Sequence, residues 1–447
     1  MLRSDFRGGY NLKIAGRPEQ TLEQVLDLPE TIAIKASDVP GLKALVKVRE
    51  GDTVKCGDTL WVHKPDHRIK FISPWDGVIQ EIRRGKRRVL LEIVIKLDVN
   101  NQDFGKFGKL NPSKAGEQEL VDYLLNTGMW PFFRSIPFNS MADPEQRPRD
   151  IYIVTSDYEP HCPDLDFVLS NQEERLQRGV RLLRLLTRGS IYVSQSSPNA
   201  GPDWQKVDDV TVINVEAKFP AGNPSVLSYN RATLRRNECA WYINAQDLLA
   251  LADLSETGKW NPRRIMTIAG SSATRPRYVE TYLGSSVSNL LREDTEHGDK
   301  SYLSGGVFTG TETQEDGYLG FNSTSLHVLP TGNQREFLRF VWPGKDKYSF
   351  SRTFLSSLFP QPDYKMTTSF QGEDRACIQC GHCEQVCPVE IMPQFLFKSV
   401  LASDFDEAEA LGLKDCAECG LCTYVCPSKI DLAGIIHDGL DEVQKES

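Results

Sequence analysis

Short apolar runs separated by polar turns fill residues 30–97. Two Gly-Asp pairs, at 51–52 and 57–58, lie between runs in which apolar and polar positions alternate. Alternation with a period of two is the pattern of half-buried strands, and Gly-Asp pairs favour the tight turns of hairpins. This part of the chain is therefore predicted to form a small all-β domain.

Strands and a helix alternate in the next part of the chain. Apolar runs at 151–155, 191–194 and 210–215 predict buried strands, and an amphipathic stretch at 173–187 predicts a helix between the first two. This alternation predicts a Rossmann-like α/β layer. No Gly-x-Gly-x-x-Gly loop or similar phosphate-binding turn joins a strand to a helix here, so we expect no dinucleotide site in this domain.

Further changes of pattern divide the rest of the chain. The polar, non-periodic stretch 98–117 predicts a linker after the β domain. Short β-type runs return from Arg263, and the pattern becomes helical from Glu336. We therefore predict a multidomain α+β fold whose four domains span residues 1–100, 101–255, 256–335 and 336–447.

Eight of the eleven cysteines lie in two runs of identical spacing near the end of the chain. The runs are Cys377-x-x-Cys380-x-x-Cys383-x-x-x-Cys387-Pro and Cys416-x-x-Cys419-x-x-Cys422-x-x-x-Cys426-Pro. A cubane iron–sulfur cluster needs four thiolates at its corners. One tight loop can supply three of them, and the fourth must come from elsewhere in the fold. The spacing is that of a bacterial two-cluster ferredoxin module, so we predict two 4Fe-4S clusters.

Zinc, disulfides and unligated thiols are the alternatives for these cysteines. A structural zinc uses two Cys-x-x-Cys pairs and needs neither a third cysteine in each run nor a Cys-Pro pair. Dense disulfides are typical of small secreted domains, and the first residues lack the apolar core of a secretory signal. The iron–sulfur interpretation therefore explains more of the pattern than the alternatives do.

In the two-cluster ferredoxins that this pattern resembles, the fourth cysteine of each run ligates the other cluster. The resemblance therefore assigns one cluster to Cys377, Cys380, Cys383 and Cys426, and the other to Cys416, Cys419, Cys422 and Cys387. Gly381 and Gly420 are expected where each loop turns sharply near sulfide. The stretch 392–413 between the runs predicts a helix that braces the loops, as in helical ferredoxins.

Composition and charge restrict the partners and the cellular location that are expected for the chain. A net charge of −9 disfavours nucleic acid as a partner. No window approaches the ~18 uninterrupted apolar residues of a membrane span. We therefore expect an intracellular protein that reaches a membrane only through partner subunits. Cys56, Cys162 and Cys239, which lie outside the two runs, are expected to be buried or free.

Four segments carry a resemblance to a known family. They are IAGRP at 14–18, GMWPFFRSIPF at 128–138, SGGVFTG at 304–310 and WPGKDKYSFSRTFL at 342–355. With the order of the domains, they resemble the NqrA family of Na+-translocating NADH:quinone oxidoreductase subunits and, in part, the C subunit of the Rnf complex. The resemblance implies a barrel-sandwich hybrid (biotinyl/lipoyl-like) domain, a Rossmann-like domain, an SLBB β-grasp domain and a helical ferredoxin-like domain, in that order.

Segment 128–138 bears on the cofactors of the chain. At this point the Rnf and complex I relatives carry a Gly-rich loop that holds flavin and NADH. Here bulky side chains occupy the place where those cofactors would need close approach to the backbone, namely Trp130, Phe132, Phe133 and Arg134. We therefore expect no flavin or NAD on this chain. The aromatic side chains are expected to pack in the core or, alternatively, to line a flat apolar pocket for a quinone head.

These observations and the resemblance predict a peripheral subunit on the cytoplasmic face of the bacterial inner membrane, within a Na+-translocating NADH:quinone oxidoreductase. Its predicted contributions are docking of other subunits and electron transfer through two clusters. The sequence shows no acid–base or nucleophile constellation, so we assign no catalytic residue and expect the isolated subunit to be inactive.

Two alternative functions stay open at this point. The first is a C-type subunit of an Rnf complex, an ion-translocating ferredoxin:NAD oxidoreductase. The Rnf C subunit has cysteine runs in this position, whereas many NqrA sequences lack them. The second is a non-catalytic scaffold whose clusters are only structural.

Overall fold

The computed structural model of the chain describes residues 2–3, 6–98, 104–156, 158–197, 201–231, 234–235, 237–292, 299–332, 341–369 and 373–446. The predicted domain boundaries near residues 100 and 335, and the predicted start of the helical part at Glu336, lie outside the described residues. The boundary predicted at 255 lies just before the end of a helix, Ala245–Thr257.

Two antiparallel sheets form the first domain. Four strands pair in the order Thr31–Lys35, Leu90–Leu97, Gly77–Arg84 and Thr53–Val54. Three more pair in the order Ala44–Val46, Thr59–His63 and Lys70–Ile72. Trp61 and Phe71 are buried on neighbouring strands, and their rings stack with centroids 5.1 Å apart. The predicted all-β domain is confirmed.

A seven-stranded mixed sheet forms the α/β domain. Its strands follow the order Leu2–Arg3, Thr211–Asn214, Ile191–Gln195, Ile151–Val154, Ala240–Asn244, Arg134–Ile136 and Ser140–Met141. The first five are parallel, and the last two are antiparallel at one edge. Parallel strands need crossover connections. The helices of this region are Glu117–Asn126, Leu165–Val168, Glu173–Leu186, Pro224–Arg231 and Ala245–Thr257, with 3-10 turns at Trp130–Phe132 and Trp204–Lys206. The predicted Rossmann-like layer is confirmed.

A six-stranded sheet and one short helix form the predicted β-grasp domain. The strands follow the order Thr311–Thr313, Lys300–Ser304, Ser325–Pro330, Arg263–Ala269, Arg277–Tyr282 and Leu22–Val25. The helix is Val287–Leu290. An edge strand of this sheet therefore comes from the start of the chain.

The N-terminal segment joins parts of the molecule that are distant in sequence. Leu2–Arg3 pairs with the strand Thr211–Asn214, and Leu22–Val25 pairs with Arg277–Tyr282. Between these strands, the Gly9 N–H donates to the carbonyl oxygen of Val386 in the cysteine-rich region, at 2.9 Å. These contacts use backbone groups, which leave no pattern of apolar positions in the sequence.

The described part of the predicted linker is packed against the α/β domain. The Phe107 N–H donates to the carbonyl oxygen of Gly258 at 2.8 Å, and the Leu110 N–H donates to that of Ser255 at 2.9 Å. The Leu110 side chain is buried. Backbone hydrogen bonds and apolar burial therefore hold the described part of the predicted linker in place.

Helices are the regular elements of the described part of the C-terminal region, as predicted, and loops make up the rest. Those of its described part are His382–Val386, Pro393–Leu401, Phe405–Ala410, Leu421–Tyr424 and Leu432–Glu446, with 3-10 turns at Leu355–Ser357 and Leu413–Asp415. Across the described ranges, no helix is both long enough and apolar enough to cross a membrane.

The helix predicted over 392–413 is interrupted. Ser403 adopts a φ of 56°, and the Asp404 carboxylate accepts a hydrogen bond from the Glu407 N–H at 3.1 Å, which starts a new helix. Ala408, after the break, is buried, whereas Leu401, before it, is 64% exposed.

Candidate metal centre

The two cysteine runs fold into loops with the same backbone conformation. Matching positions adopt positive φ in both loops, namely Gln379 (54°) and Glu418 (52°), Gly381 (74°) and Gly420 (72°), and Glu390 (52°) and Lys429 (59°). Left-handed residues among right-handed ones turn successive N–H groups toward a common concavity, an arrangement found at many iron–sulfur sites. The two cysteine runs therefore share their backbone conformation at these positions as well as their cysteine spacing.

The glycines of the two loops have different surroundings. A Cβ at Gly381 would meet no heavy atom within 4 Å, so this position needs glycine only for its positive φ. A Cβ at Gly420 would come 2.8 Å from the carbonyl oxygen of Phe308. Gly420 therefore also permits close contact between the second loop and the β-grasp domain.

Cysteines from both runs meet at one pocket. Those that line it are Cys377, Cys380, Cys383 and Cys426. Two hydrogen bonds of 2.9 Å hold the contributing segments together: the Arg375 N–H donates to the carbonyl oxygen of Ser428, and the Ser428 hydroxyl donates to that of Ala376. The residue predicted as the fourth ligand of the first cluster thus lies beside the loop that carries the other three.

The other four cysteines of the runs also lie together. They are Cys387, Cys416, Cys419 and Cys422. Burial raises the pKa of the last three thiols, and the neighbouring Cys387 thiol raises each pKa further. Crowded, buried thiols ionise readily only beside a positive charge, which a bound metal supplies.

The donor sets fit cubane clusters. Each group consists of four thiols, the set that 4Fe-4S clusters take. Within the described residues, no three His, Cys, Asp or Glu side chains converge on a point that would suit a single metal ion. A structural zinc holds its sulfurs at about 2.3 Å from one centre. A cubane keeps its thiolates farther apart because four irons and four sulfides lie between them.

The two groups differ in exposure. Cys380 of the first group is exposed, and the adjacent Ile378 is 68% exposed. Cys387 and Cys419 of the second group are buried. The second loop also accepts a hydrogen bond at the Ala417 carbonyl oxygen from the Asn223 side chain, at 3.3 Å. The first group is therefore near the surface, and the second lies against the α/β and β-grasp domains.

Gln394 is a contact of the first group that the sequence analysis did not identify. The Cys383 thiol donates to Gln394 Oε1 at 3.3 Å, and Gln394 Nε2 donates to Glu384 Oε2 at 2.9 Å. Gln394 is buried on the helix Pro393–Leu401. The sequence offered little signal for it, because the helix also carries the polar residues Lys398 and Ser399.

The aromatic residues of segment 128–138 lie in the core. Trp130 and Phe133 are fully buried, and the ring of Trp130 meets that of Trp241 edge to face at 5.5 Å. Trp130 Nε1 donates to the carbonyl oxygen of Ala142 at 2.8 Å. These two residues therefore belong to the core and not to a pocket. Phe132 stacks on Phe321 at 4.6 Å and also lines a cavity.

The three cysteines outside the runs take no part in either group. Cys56, Cys162 and Cys239 are half-buried, and all eleven cysteines of the chain are free of disulfides. They were predicted to be buried or free, and the structure places them half-buried.

The chain combines a β-sandwich domain, a Rossmann-like domain, a β-grasp domain and a helical module with two four-cysteine groups. This combination defines a class of multidomain redox subunits. A family model described as a 4Fe-4S dicluster domain matches residues 376–430. Three more models match along the chain: the NqrA N-terminal barrel-sandwich hybrid domain at 5–98, the NqrA second alpha/beta domain at 115–260 and the NQRA C-terminal domain at 265–315.

Whole-chain similarity identifies the family. The NqrA subunit of the Na(+)-translocating NADH-quinone reductase of Pasteurella multocida is 31% identical over 442 residues, which cover 98% of each chain. The Saccharophagus degradans protein of the same name is 31% identical over 449 residues, or 98% of this chain and 99% of that protein. The chain belongs to the NqrA family of Na(+)-translocating NADH-quinone reductase subunits.

Solved structures are more distant. One chain of a NAD+-reducing [NiFe]-hydrogenase overlaps 67% of this chain and 57% of its own length, with a TM-score of 0.34 and 12% identity.

Proposed function

We propose that this chain is the peripheral NqrA subunit of a Na+-translocating NADH:quinone reductase and that it relays electrons through two 4Fe-4S clusters. The observation that carries the proposal is the meeting of Cys426 with the three cysteines of the other run around one pocket. The names of the relatives support the type of complex, and the dicluster family match supports the cofactor class.

The proposed ligands are the ones that the ferredoxin resemblance assigns. Cys377, Cys380, Cys383 and Cys426 would hold the first cluster, and Cys416, Cys419, Cys422 and Cys387 the second. When bound, each cluster accepts and donates one electron at a time. The protein contributes the thiolates, the N–H groups of the two loops and a partly buried setting, which together set the reduction potential.

The difference in exposure suggests the path of the electron. The first group, beside exposed Ile378, is placed to exchange electrons with a partner that docks on this surface. The second group lies inside, next to a cavity that residues of all four domains line, among them Ala417 and Gly420. The proposed relay therefore runs between the molecular interior and a docking surface.

We also propose a position for the subunit within its complex. We place the subunit on the cytoplasmic face of the inner membrane, where it contacts the membrane only through other subunits. Quinone reduction and NADH oxidation then take place on partners, and this chain carries neither flavin nor NAD. We keep the four domains as predicted, spanning residues 1–100, 101–255, 256–335 and 336–447.

Iron analysis tests the proposal. Protein reconstituted without oxygen should bind about eight irons per chain, because each of two clusters holds four, and should show broad iron–sulfur absorption. The Cys239→Ser variant, altered outside both runs, serves as the control and should bind the same amount. Bound zinc in place of iron would contradict the proposal, as would an iron-free chain that supports full activity in its complex.

A further inference from the structure

A buried amide side chain lies beside the sulfur of one proposed cluster ligand. Gln394 is 7% exposed and lines the same pocket as the first group of four cysteines. Its Oε1 accepts a hydrogen bond from the Cys383 thiol at 3.3 Å, and its Nε2 donates to Glu384 Oε2 at 2.9 Å. Pro393, which begins the helix Pro393–Leu401, sets the backbone just before it. The amide is therefore held against the site from both ends.

The second cysteine run has alanine at the corresponding position. Seven residues after the last cysteine of each run, the first run has Gln394 and the second has Ala433. Each of these two residues bonds to the residue that follows the third cysteine of its own run. Gln394 bonds to Glu384, and the Ala433 N–H donates to Thr423 Oγ1 at 2.8 Å. The two positions therefore correspond in space as well as in sequence, and only the first carries an amide side chain.

Metal ligation changes the hydrogen bond that Gln394 can make. Cys383 ligates iron as a thiolate, which has no proton to donate. Two acceptors would then face each other if Gln394 Oε1 stayed in place. Turning the amide about its last bond puts Nε2 beside the sulfur instead, and the oxygen and nitrogen exchange places with little change of shape. The Glu384 side chain is exposed and can turn into water, so the exchange leaves no buried acceptor facing another.

An N–H donor at this sulfur favours the reduced state of the site. Reduction adds one electron and no proton, so negative charge on the ligating sulfur grows. A hydrogen bond strengthens as its acceptor becomes more negative, and hydrogen bonds to the sulfurs help to set the potential of iron–sulfur clusters. The greater burial of the second group acts in the same direction, because burial disfavours added charge. Both effects make the first site the easier one to reduce.

We propose that Gln394 is a positioning residue that donates a hydrogen bond from Nε2 to the Cys383 sulfur and thereby raises the reduction potential of the first cluster above that of the second. Electrons then move from the interior site to the site near the surface. In that step one electron is lost at the second site and gained at the first, and no proton moves. The electron originates from NADH, which is oxidised on a partner subunit. This inference rests on the proposed iron–sulfur relay and adds its direction.

A redox titration of the full-length protein, reconstituted without oxygen and followed by electron paramagnetic resonance, tests the role of Gln394. Gln394→Met keeps the length of the side chain and removes the N–H donor. Reduction of the first cluster should become about 3- to 10-fold less favourable, as expected for loss of one hydrogen bond. Its potential should therefore fall by roughly 30 to 60 mV, since a tenfold change equals about 59 mV for one electron. The potential of the second cluster should stay the same.

Two further proteins make the test specific. Gln385→Met is the matched control, because Gln385 is exposed and does not line the pocket of the first group, and it should leave both potentials unchanged. Cys419→Ser removes a ligand of the second cluster and so identifies which signal belongs to the first. In the wild-type protein, the signal that remains in Cys419→Ser should be the one reduced at the higher potential.

An unchanged or higher potential of the first cluster in Gln394→Met would overturn the proposal, as would a second cluster that is reduced more readily than the first in the wild type. If Gln394→Met binds less iron than the wild type, Gln394→Leu decides by the same measurement. Loss of the first cluster from both variants would show that Gln394 is needed to hold the site and would also overturn its role in setting the potential. Iron content separates the two proposals: a wild-type chain without clusters refutes the relay itself, whereas two clusters with unchanged potentials refute only the role of Gln394.

Discussion

Single residues decide which cysteines of the two runs lie together. Cys426 follows the second run in sequence but lies with the cysteines of the first, and Cys387 lies with those of the second. The Ser428 hydroxyl helps to place Cys426 by bonding to the carbonyl oxygen of Ala376. The crossed arrangement therefore depends on a few local contacts as well as on the spacing.

The Cys387→Ser variant tests the crossed assignment. It should lose the second cluster while largely retaining the first, because Cys387 is the proposed fourth ligand of the second. Electron paramagnetic resonance of the reduced protein measures the two clusters, with Cys380→Ser and Cys419→Ser as references that remove one ligand from each. The Cys239→Ser protein should keep both signals. A loss limited to the first cluster would refute the crossing.

Short elements with local caps hold the cysteine loops in place. The helix Phe405–Ala410 starts at Asp404, and the turn Leu413–Asp415 then leads directly into Cys416. Helices this short are marginal without a cap and tertiary packing. The conformation of the second cysteine loop therefore depends on the short helix Phe405–Ala410 and its cap, Asp404.

The cap can be tested by substitution at Asp404. Asp404→Ala should remove the hydrogen bond to the Glu407 N–H and cost about 1 kcal/mol of local stability. Asp404→Asn should behave like the wild type because asparagine caps equally well. Hydrogen exchange of amides in 405–413 measures the effect as faster exchange in the alanine variant alone. Equal exchange in all three proteins would show that the cap is not needed.

The molecule as a whole surrounds the second group of cysteines with other domains. The Gly9 N–H bonds to the carbonyl oxygen of Val386, the Asn223 side chain bonds to Ala417, and Phe308 touches the loop at Gly420. These contacts come from the N-terminal segment, the α/β domain and the β-grasp domain. The proposed second cluster therefore depends on assembly of the entire chain.

The chain alone should not oxidise NADH. The bulk of Trp130 and Phe133 fills the core at the segment where relatives of this family carry a Gly-rich cofactor loop. Absorbance at the NADH band, followed with an artificial electron acceptor, measures turnover. Reduction of the clusters by dithionite in the same sample is the positive control. Measurable NADH turnover would contradict the assignment of that chemistry to partner subunits.

Much of the fold and of the cysteine site could be predicted from residues that are close together in the sequence. The period-two runs of 30–97, the strand–helix alternation of 151–215 and the identical cysteine runs all reflect interactions within short stretches. Prediction was less successful at 402–404, because a cap can interrupt a helix that the sequence predicts as continuous. At 104–116 the sequence did not reveal that backbone hydrogen bonds hold the linker against the α/β domain.

The order of residues was sufficient to predict the fold class and the family, and it supplies the proposed ligands, because spacing within a loop and apolar period are local properties. The three-dimensional structure was needed for the pairing of Leu2–Arg3 and Leu22–Val25 with distant sheets and for the buried ion pair of Arg264 with Asp247. Such contacts join segments far apart in the chain. No local pattern records them, since they form only when separate domains pack together.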